Sequence, residues 1–379
     1  MKIHHLLCAL LLCALPLRAA LELPPYFADH MVLQRDRPIP VWGRAEPGSS
    51  VTVEFAGQKR QAKTAPDGRW RVQFDPLPAS EEGREMTILC EGQTQTVGED
   101  RKQIKDILVG EVVTVVAQGG YQHFFGWGFD GWKAALATIS TNRLVRQFRV
   151  AETAAEEPYE NLKGRWLSGG QLVDCRTYAY YVGARLHERL KVPVATLATI
   201  HAKARLASWC SPDGYQGIPE LAEEAALVAS RNSASEQFAA AFEDYVKELQ
   251  AWKQETLRRS AQGRPVKRPP KIKPAFAMAR DIKGNVLPNE PTATWNSMLA
   301  PLRAHPVRAW IFLSDTPGLE QNPKAKPYLT ALLQSWKPAP GAPSFATFIA
   351  PHAKAKTAAE RSALAADALL EHLEKGTSK

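Results

Sequence analysis

From Leu21 onward the chain changes its hydrophobic period once, and the change divides it. Up to about Asp106, apolar and polar residues alternate. Val51, Val53 and Phe55 follow the turn formers Pro47-Gly48, and Trp70, Val72 and Phe74 follow Asp67-Gly68. A period of two places each set on one strand face, and the Asp-Gly pair predicts a hairpin. EMTILCEGQTQTVG, residues 85–98, supplies another pair of strands. Short strands at roughly ten-residue spacing predict a small β-sandwich over residues 21–106.

After Ile107 the texture becomes α/β. ILVGEVVTVVA (107–117), an acidic residue followed by the β-branched run Val112 to Val116, reads as a buried strand. TYAYYVGARLHERLK (177–191) has helical spacing and leads into a second strand, VPVATLATI (192–200). The helix-like TWNSMLAPLRAH (294–305) precedes a third, VRAWIFL (307–313). Strands alternating with helices predict a parallel sheet over residues 107–379, with any ligand site at the strands' C-terminal ends. Strong helix formers in residues 218–260 predict a helical insertion of one or two exposed helices, with Glu223, Glu224 and Lys253 on a polar face. A basic, proline-rich linker (261–290) returns the chain, and TAAERSALAADALLEHLEKG (357–376) closes it as a plain helix.

Charge adds little to this picture. The formal charge is +9, but many basic residues crowd into Arg258–Lys273, where prolines favour an extended linker over a binding helix. No nucleic-acid module and no aromatic-interleaved basic motif is present, so nucleic acid is excluded as a partner. The N-terminus changes more. MKIHH, then an apolar core of about a dozen residues, then Leu17-Arg18-Ala19-Ala20 has the pattern of a secretory signal peptide over residues 1–20, cut after Ala19 or Ala20. No other apolar run approaches the ~20 residues of a membrane span. Export to the periplasm or the cell exterior is expected. Cys8 and Cys13 leave with the signal. Cys90, Cys175 and Cys210 match no zinc spacing and are expected as buried small apolar residues, although one disulfide stays open. No metal or cofactor site is expected.

LPPYFADHMVLQRDRPIPVWGRAEPG (23–48) resembles the N-terminal signature of bacterial sialate O-acetylesterase-like proteins, secreted carbohydrate esterases of the SGNH hydrolase group. The likeness continues through ILVGEV, AYYVGARLHERLKVPVATL and ATWNSMLAPL, and covers roughly residues 23–354. It implies a β-sandwich followed by a flavodoxin-like esterase domain with a helical insertion.

The chemistry implied by the resemblance is altered in this sequence. The family's nucleophilic serine stands in a Gly-Gln-Ser-Asn-Met turn after a Gly-Glu-Val strand. Here the equivalent residues are Ala117, Gln118, Gly119, Gly120 and Tyr121, so the serine position is Gly119. Glycine has no oxygen with which to attack an ester. The family's Ser-Ser-Trp-Gly-Gly-Thr block becomes Thr199-Ile200-His201-Ala202-Lys203-Ala204, followed by Trp209. Both glycines are gone, and with them a close backbone approach suited to an oxyanion donor. Trp-Tyr-Gln-Gly-Glu-Ser-Asn becomes Trp310 to Thr316, with threonine in place of asparagine. No Asp-x-His or Asp-x-x-His follows; His352 and His372 are read as surface residues.

Three readings remain. The first is an inactive relative that binds a glycan, in a cleft lined by Gln118, Gly119, Gly120, Tyr121, His201, Trp209, Ser314 and Asp315. The aromatic-rich GGYQHFFGWGFDGW (119–132) would either help in that binding or merely pack the loop. The second is an esterase that uses a substitute pair, Ser314 and His201. The third is a structural partner working through the insertion and the basic linker.

Overall fold

The computed structural model describes residues 20–91, 101–118, 139, 141–270, 278–314, 316, 318–337, 346–349 and 358–377. The first strands are β1 (Val32–Gln34), β2 (Ile39–Arg44), β3 (Ser50–Phe55) and β4 (Gln58–Lys63). They are followed by β5 (Arg69–Phe74), β6 (Ser80–Glu91), β7 (Arg101–Gln118), β8 (Val145–Val150) and β9 (Gly164–Leu167). The last are β10 (Val194–Ile200), β11 (Ala309–Ser314) and β12 (Ala346–Ile349). The helices are α1 (Thr177–Leu190), α2 (Ala222–Arg231), α3 (Glu236–Ala261), α4 (Lys326–Ser335) and α5 (Ala358–Thr377). The architecture is mixed α/β around a large, mostly parallel central sheet.

The strand β7 is 18 residues long, and its two halves have different partners. Residues 101–109 pair antiparallel with β6, which continues to β3 and β4. Residues 111–118 lie between β10 and β11, parallel to both, in the order β8-β10-β7-β11-β12. The strand therefore runs straight through Asp106, where a boundary was expected. Asp106 has φ +53°, and the β6 register shifts beside it, so the change of texture marks a change of partners within one strand. Its carboxylate accepts from Arg146 Nη2 at 2.8 Å and bonds His30 at 2.7 Å.

Helices cover both faces of the parallel half, which is why its run is apolar without alternation. Val113, Val115 and Ala117 pack with α1 and α5; Val112 and Val116 share a larger core with Trp310, Phe312, Leu332 and Trp336. That larger core is continuous with the N-terminal strands, whose expected inward residues Val51, Val53, Phe55, Trp70, Val72 and Phe74 are all buried. The hairpin sits elsewhere than expected. β3 and β4 pair across Ala56-Gly57, both at positive φ, the geometry of a two-residue turn. Asp67-Gly68 instead carries the chain from β4 to β5, which pairs with β2 in a separate sheet.

The insertion is two helices, and no residue of α3 is buried. Residues 264–270 run without regular structure back along α3, where Trp252 donates its indole N–H to Lys267 O at 2.8 Å. The stretch expected as an ordinary helix over 294–305 is a π turn (Trp295–Leu299) and then a 3₁₀ turn (Ala300–Ala304), because Pro301 supplies no N–H. Cys90, Cys175 and Cys210 are free and buried.

Two predictions follow from this packing. A Cβ on Gly110 would lie 2.0 Å from the Pro193 carbonyl oxygen, which accepts the Glu111 amide. Gly110→Ala should therefore lose about 1–3 kcal/mol or more in urea unfolding, since backbone cannot yield as a side chain does. His305 is buried among Tyr26, Phe27 and Trp42, with ring centroids 3.9 Å from Tyr26 and 4.6 Å from Trp42. Burial, helped by Arg71, pushes its pKa down to about 3. The unfolded chain then takes up a proton near pH 6.5 that the native protein refuses. Its contribution is whole above pH 6.5 and falls by about 1.4 kcal/mol per unit as pH drops toward 3. In urea midpoints measured against pH, His305→Phe should flatten this slope; an unchanged slope would show that His305 titrates normally.

Candidate functional site

The C-terminal ends of the parallel strands bring the candidate residues together. Ser314 is in register with Gln118 on the adjacent strand, about 4.8 Å away across the sheet. On the other side Ile200 pairs with Ala117, so His201 emerges beside Gln118. After β7 the chain forms β8 and then β10 on one side, and β11 and β12 on the other. The ends of β7 and β11 therefore form the switch point where doubly wound sheets open a crevice. Gly119, Gly120, Tyr121 and Asp315 lie outside the described residues, as do the aromatic stretch 121–132 and His352.

A second pair of side chains at this edge was missed by sequence reasoning. Glu152 follows the end of β8, and Arg176 precedes α1; their side chains form an ion pair in which Arg176 is almost wholly buried. Gln147 of β8 fixes Arg176 from below. Its amide donates to Arg176 O at 3.1 Å, and its Oε1 accepts the Arg176 N–H at 2.6 Å. The usable signal was VRQFRV (145–150) followed by an acid, a strand end at the same edge as the others.

His201 is half-buried, and its Nδ1 accepts the Lys203 amide at 3.4 Å. Burial lowers the His201 pKa below its ordinary value, while the Glu152 charge acts in the opposite direction. Ser314 is 9 % exposed, and its Oγ accepts the Thr316 amide at 3.1 Å, a local turn bond. Gln118 is half-buried, and its Oε1 has no hydrogen-bond partner among the described residues. Trp209 departs from expectation. It is 0 % exposed within the larger core, so its ring packs the fold and offers no face to a ligand.

The remaining histidine–acid pair is also separated. Asp367 accepts from Arg185 Nε at 2.9 Å, and His372 is exposed on α5. Among the described residues, no cluster of three or more His, Cys, Asp or Glu side chains is arranged to hold a metal ion. No described helix is long and apolar enough to cross a membrane.

No family model and no curated protein matches the chain. Among solved structures, a carbohydrate acetylesterase from Xanthomonas citri has a TM-score of 0.60 at 18% identity, covering 94% of this chain and 67% of that one. The two share a fold. An acetyl xylan esterase from Butyrivibrio proteoclasticus covers 90% of this chain and is itself covered to 87%, with a TM-score of 0.23 at 10% identity, too low to carry an argument.

The electrostatics of this edge can be tested directly. In an NMR titration His201 should have its midpoint below 6.5, and Glu152→Gln should lower it further, because Arg176 then loses the anion that offsets it. A midpoint above 6.5 would contradict the burial that the structure gives this ring.

Proposed function

We propose that the chain is a sialate O-acetylesterase-like protein of the SGNH hydrolase group, exported and catalytically inactive, which binds carbohydrate or serves as a scaffold. In this reading the N-terminal strands form a small β-sandwich and the parallel sheet is flavodoxin-like. The observation that carries it is the position of Gln118. It ends the central strand beside His201 and Ser314, at the switch point where an esterase of this architecture presents its nucleophile, and the next residue is glycine.

The local geometry favours inactivity over a substitute pair. A general base needs a free ring nitrogen facing the hydroxyl and a partner that orients the other nitrogen. Among the described residues no carboxylate is hydrogen-bonded to the His201 ring: its Nδ1 faces the Lys203 amide, where an orienting acid would stand in a triad. Glu152, the acid whose charge reaches His201, is paired with Arg176. Ser314 Oγ is held in its own turn. The same edge can still bind: the half-buried His201 ring has a nitrogen suited to a sugar hydroxyl or an ester oxygen.

Hydrolysis of a chromogenic acetyl ester by the purified protein should equal background. Loss of the serine alone in a hydrolase costs roughly a millionfold in turnover. Gly119→Ser should not restore activity, because a serine without a positioned base stays a neutral alcohol. Turnover in the wild type that Ser314→Ala or His201→Ala abolishes would overturn inactivity and establish the substitute pair.

A further inference from the structure

The longer helix of the insertion outruns the shorter one it packs on. α2 has 10 residues and α3 has 26, about 15 Å against about 39 Å at 1.5 Å per residue. The returning chain covers one side of α3. Tyr245 donates to Pro270 O at 3.4 Å, Trp252 to Lys267 O at 2.8 Å, and Arg259 to Pro265 O at 3.1 Å. These three recur every seven residues, so the return segment occupies a single stripe of the helix. A second stripe lies beside it: Phe242, Val246, Leu249, Lys253 and Leu257, at spacings of three and four. It stays open. Phe242 is 49 % exposed and Leu257 57 %, and they are the two exposed large apolar residues of α3. Phe238 stacks on Phe242 with ring centroids 5.8 Å apart, which holds that ring in place.

Charge is divided along the same helix. Its first half carries Glu236, Glu243, Asp244 and Glu248 against Lys247, which bridges Glu243 at 2.9 Å and Asp244 at 3.6 Å. From Leu249 to Pro270 there are six basic residues and one acid, Glu255, whose carboxylate Arg258 and Arg259 share. Lys253, Arg264, Lys267 and Arg268 have no carboxylate partner among the described residues. A polyanion or an anionic membrane would suit the basic half and be repelled by the acidic one. A second copy laid in the opposite direction suits both.

We infer that α3 pairs antiparallel with α3 of a second copy, about a two-fold axis between Leu249 and Gln250. The apolar residues locate the axis. It sets Phe242 of each copy opposite Leu257 of the other, and it falls close to the middle of the helix, so the two helices overlap along nearly their whole length. The same axis sets Lys253 opposite Val246, one turn from Glu243 of the second copy, and lays each basic half on the other's acidic half. A parallel pair would set like charges together at both ends. A lysine inside an otherwise apolar seam fixes its register at some loss of stability. The inference is independent of the carbohydrate reading, since it uses neither the strand ends nor their chemistry.

Sedimentation velocity of the full chain over a range of concentrations should show a monomer–dimer equilibrium whose Kd rises with salt. Lys253→Glu and Glu243→Lys should each weaken the dimer at least about tenfold. The two together should restore it, because the reversed pair attracts again. Gln250→Cys should give an intermolecular disulfide on mild oxidation, since the axis brings the two copies of position 250 together, and Ala239→Cys should not. All four positions lie on a helix with no buried residue, so the variants keep the native circular dichroism spectrum. A chain that stays monomeric at every concentration, or a dimer indifferent to both charge reversals, overturns the inference. Cross-linking through Ala239→Cys but not Gln250→Cys, the mark of a parallel pair, overturns it as well. A monomer that sediments with phosphatidylglycerol vesicles overturns it in favour of a surface anchor.

Discussion

A buried carboxylate near the middle of the longest strand holds the molecule together. Glu111 is 4 % exposed, and it accepts from Gln34 Nε2 at 2.9 Å and from Arg35 Nε at 2.8 Å. Leaving a carboxylate in that position without partners would cost several kcal/mol, so β1 must dock wherever β7 enters the parallel sheet. The docking is reinforced by the backbone. Gln34 Oε1 takes the Val112 amide, and the Arg35 amide donates to Gly110 O. Gly110 in turn lets Pro193 approach closely enough to start the β10 pairing. One acid and one glycine thus fix the junction of three chain segments.

This gives a physical meaning to the stretches that carry the family resemblance. VLQRD and GEV are distant in sequence, yet Gln34 and Arg35 belong to the first, Gly110 and Glu111 to the second, and they form one device. Their work is structural. A chain can therefore keep them for its fold whatever happens to its chemistry, and likeness in these stretches says little about turnover.

What the sequence disclosed follows from which residues are buried by apolarity alone. The parallel half of β7, β10 and β11 are mainly apolar, and α1, α5 and the insertion have plain helical spacing; all were legible, whereas the polar first half of β7 was not. Nor was β8. Arg146 and Gln147 sit in its buried centre, paid for by Asp106 and by the Arg176 backbone rather than by hydrophobicity, and a pattern reader sees them as surface. Missing β8 meant missing Glu152 at its end, and with it the ion pair beside His201. β4 (QKRQAK) has no large apolar residue and is held as a strand by its pairing with β3. Trp209 erred the other way: an aromatic beside a candidate block looked like a ligand contact, and three-dimensional packing makes it core.

The two ends of the parallel half of β7 are about 23 Å apart, seven residues at roughly 3.3 Å each. At one end Glu111 couples the sheet to the N-terminal strands; at the other Gln118, His201, Ser314 and Glu152 form a polar rim. The residues between them, Val112 to Ala117, are wholly packed; the Val112 amide donates to Gln34 Oε1 at the Glu111 end, and the Thr199 hydroxyl donates to Val115 O. Changes at the rim thus leave the Glu111 junction intact, and the cost of losing a nucleophile falls on reactivity and not on stability. Rim geometry is set by the junction through strand register. In the function proposed above, recognition outlasts catalysis without any change to the interactions that fold the chain.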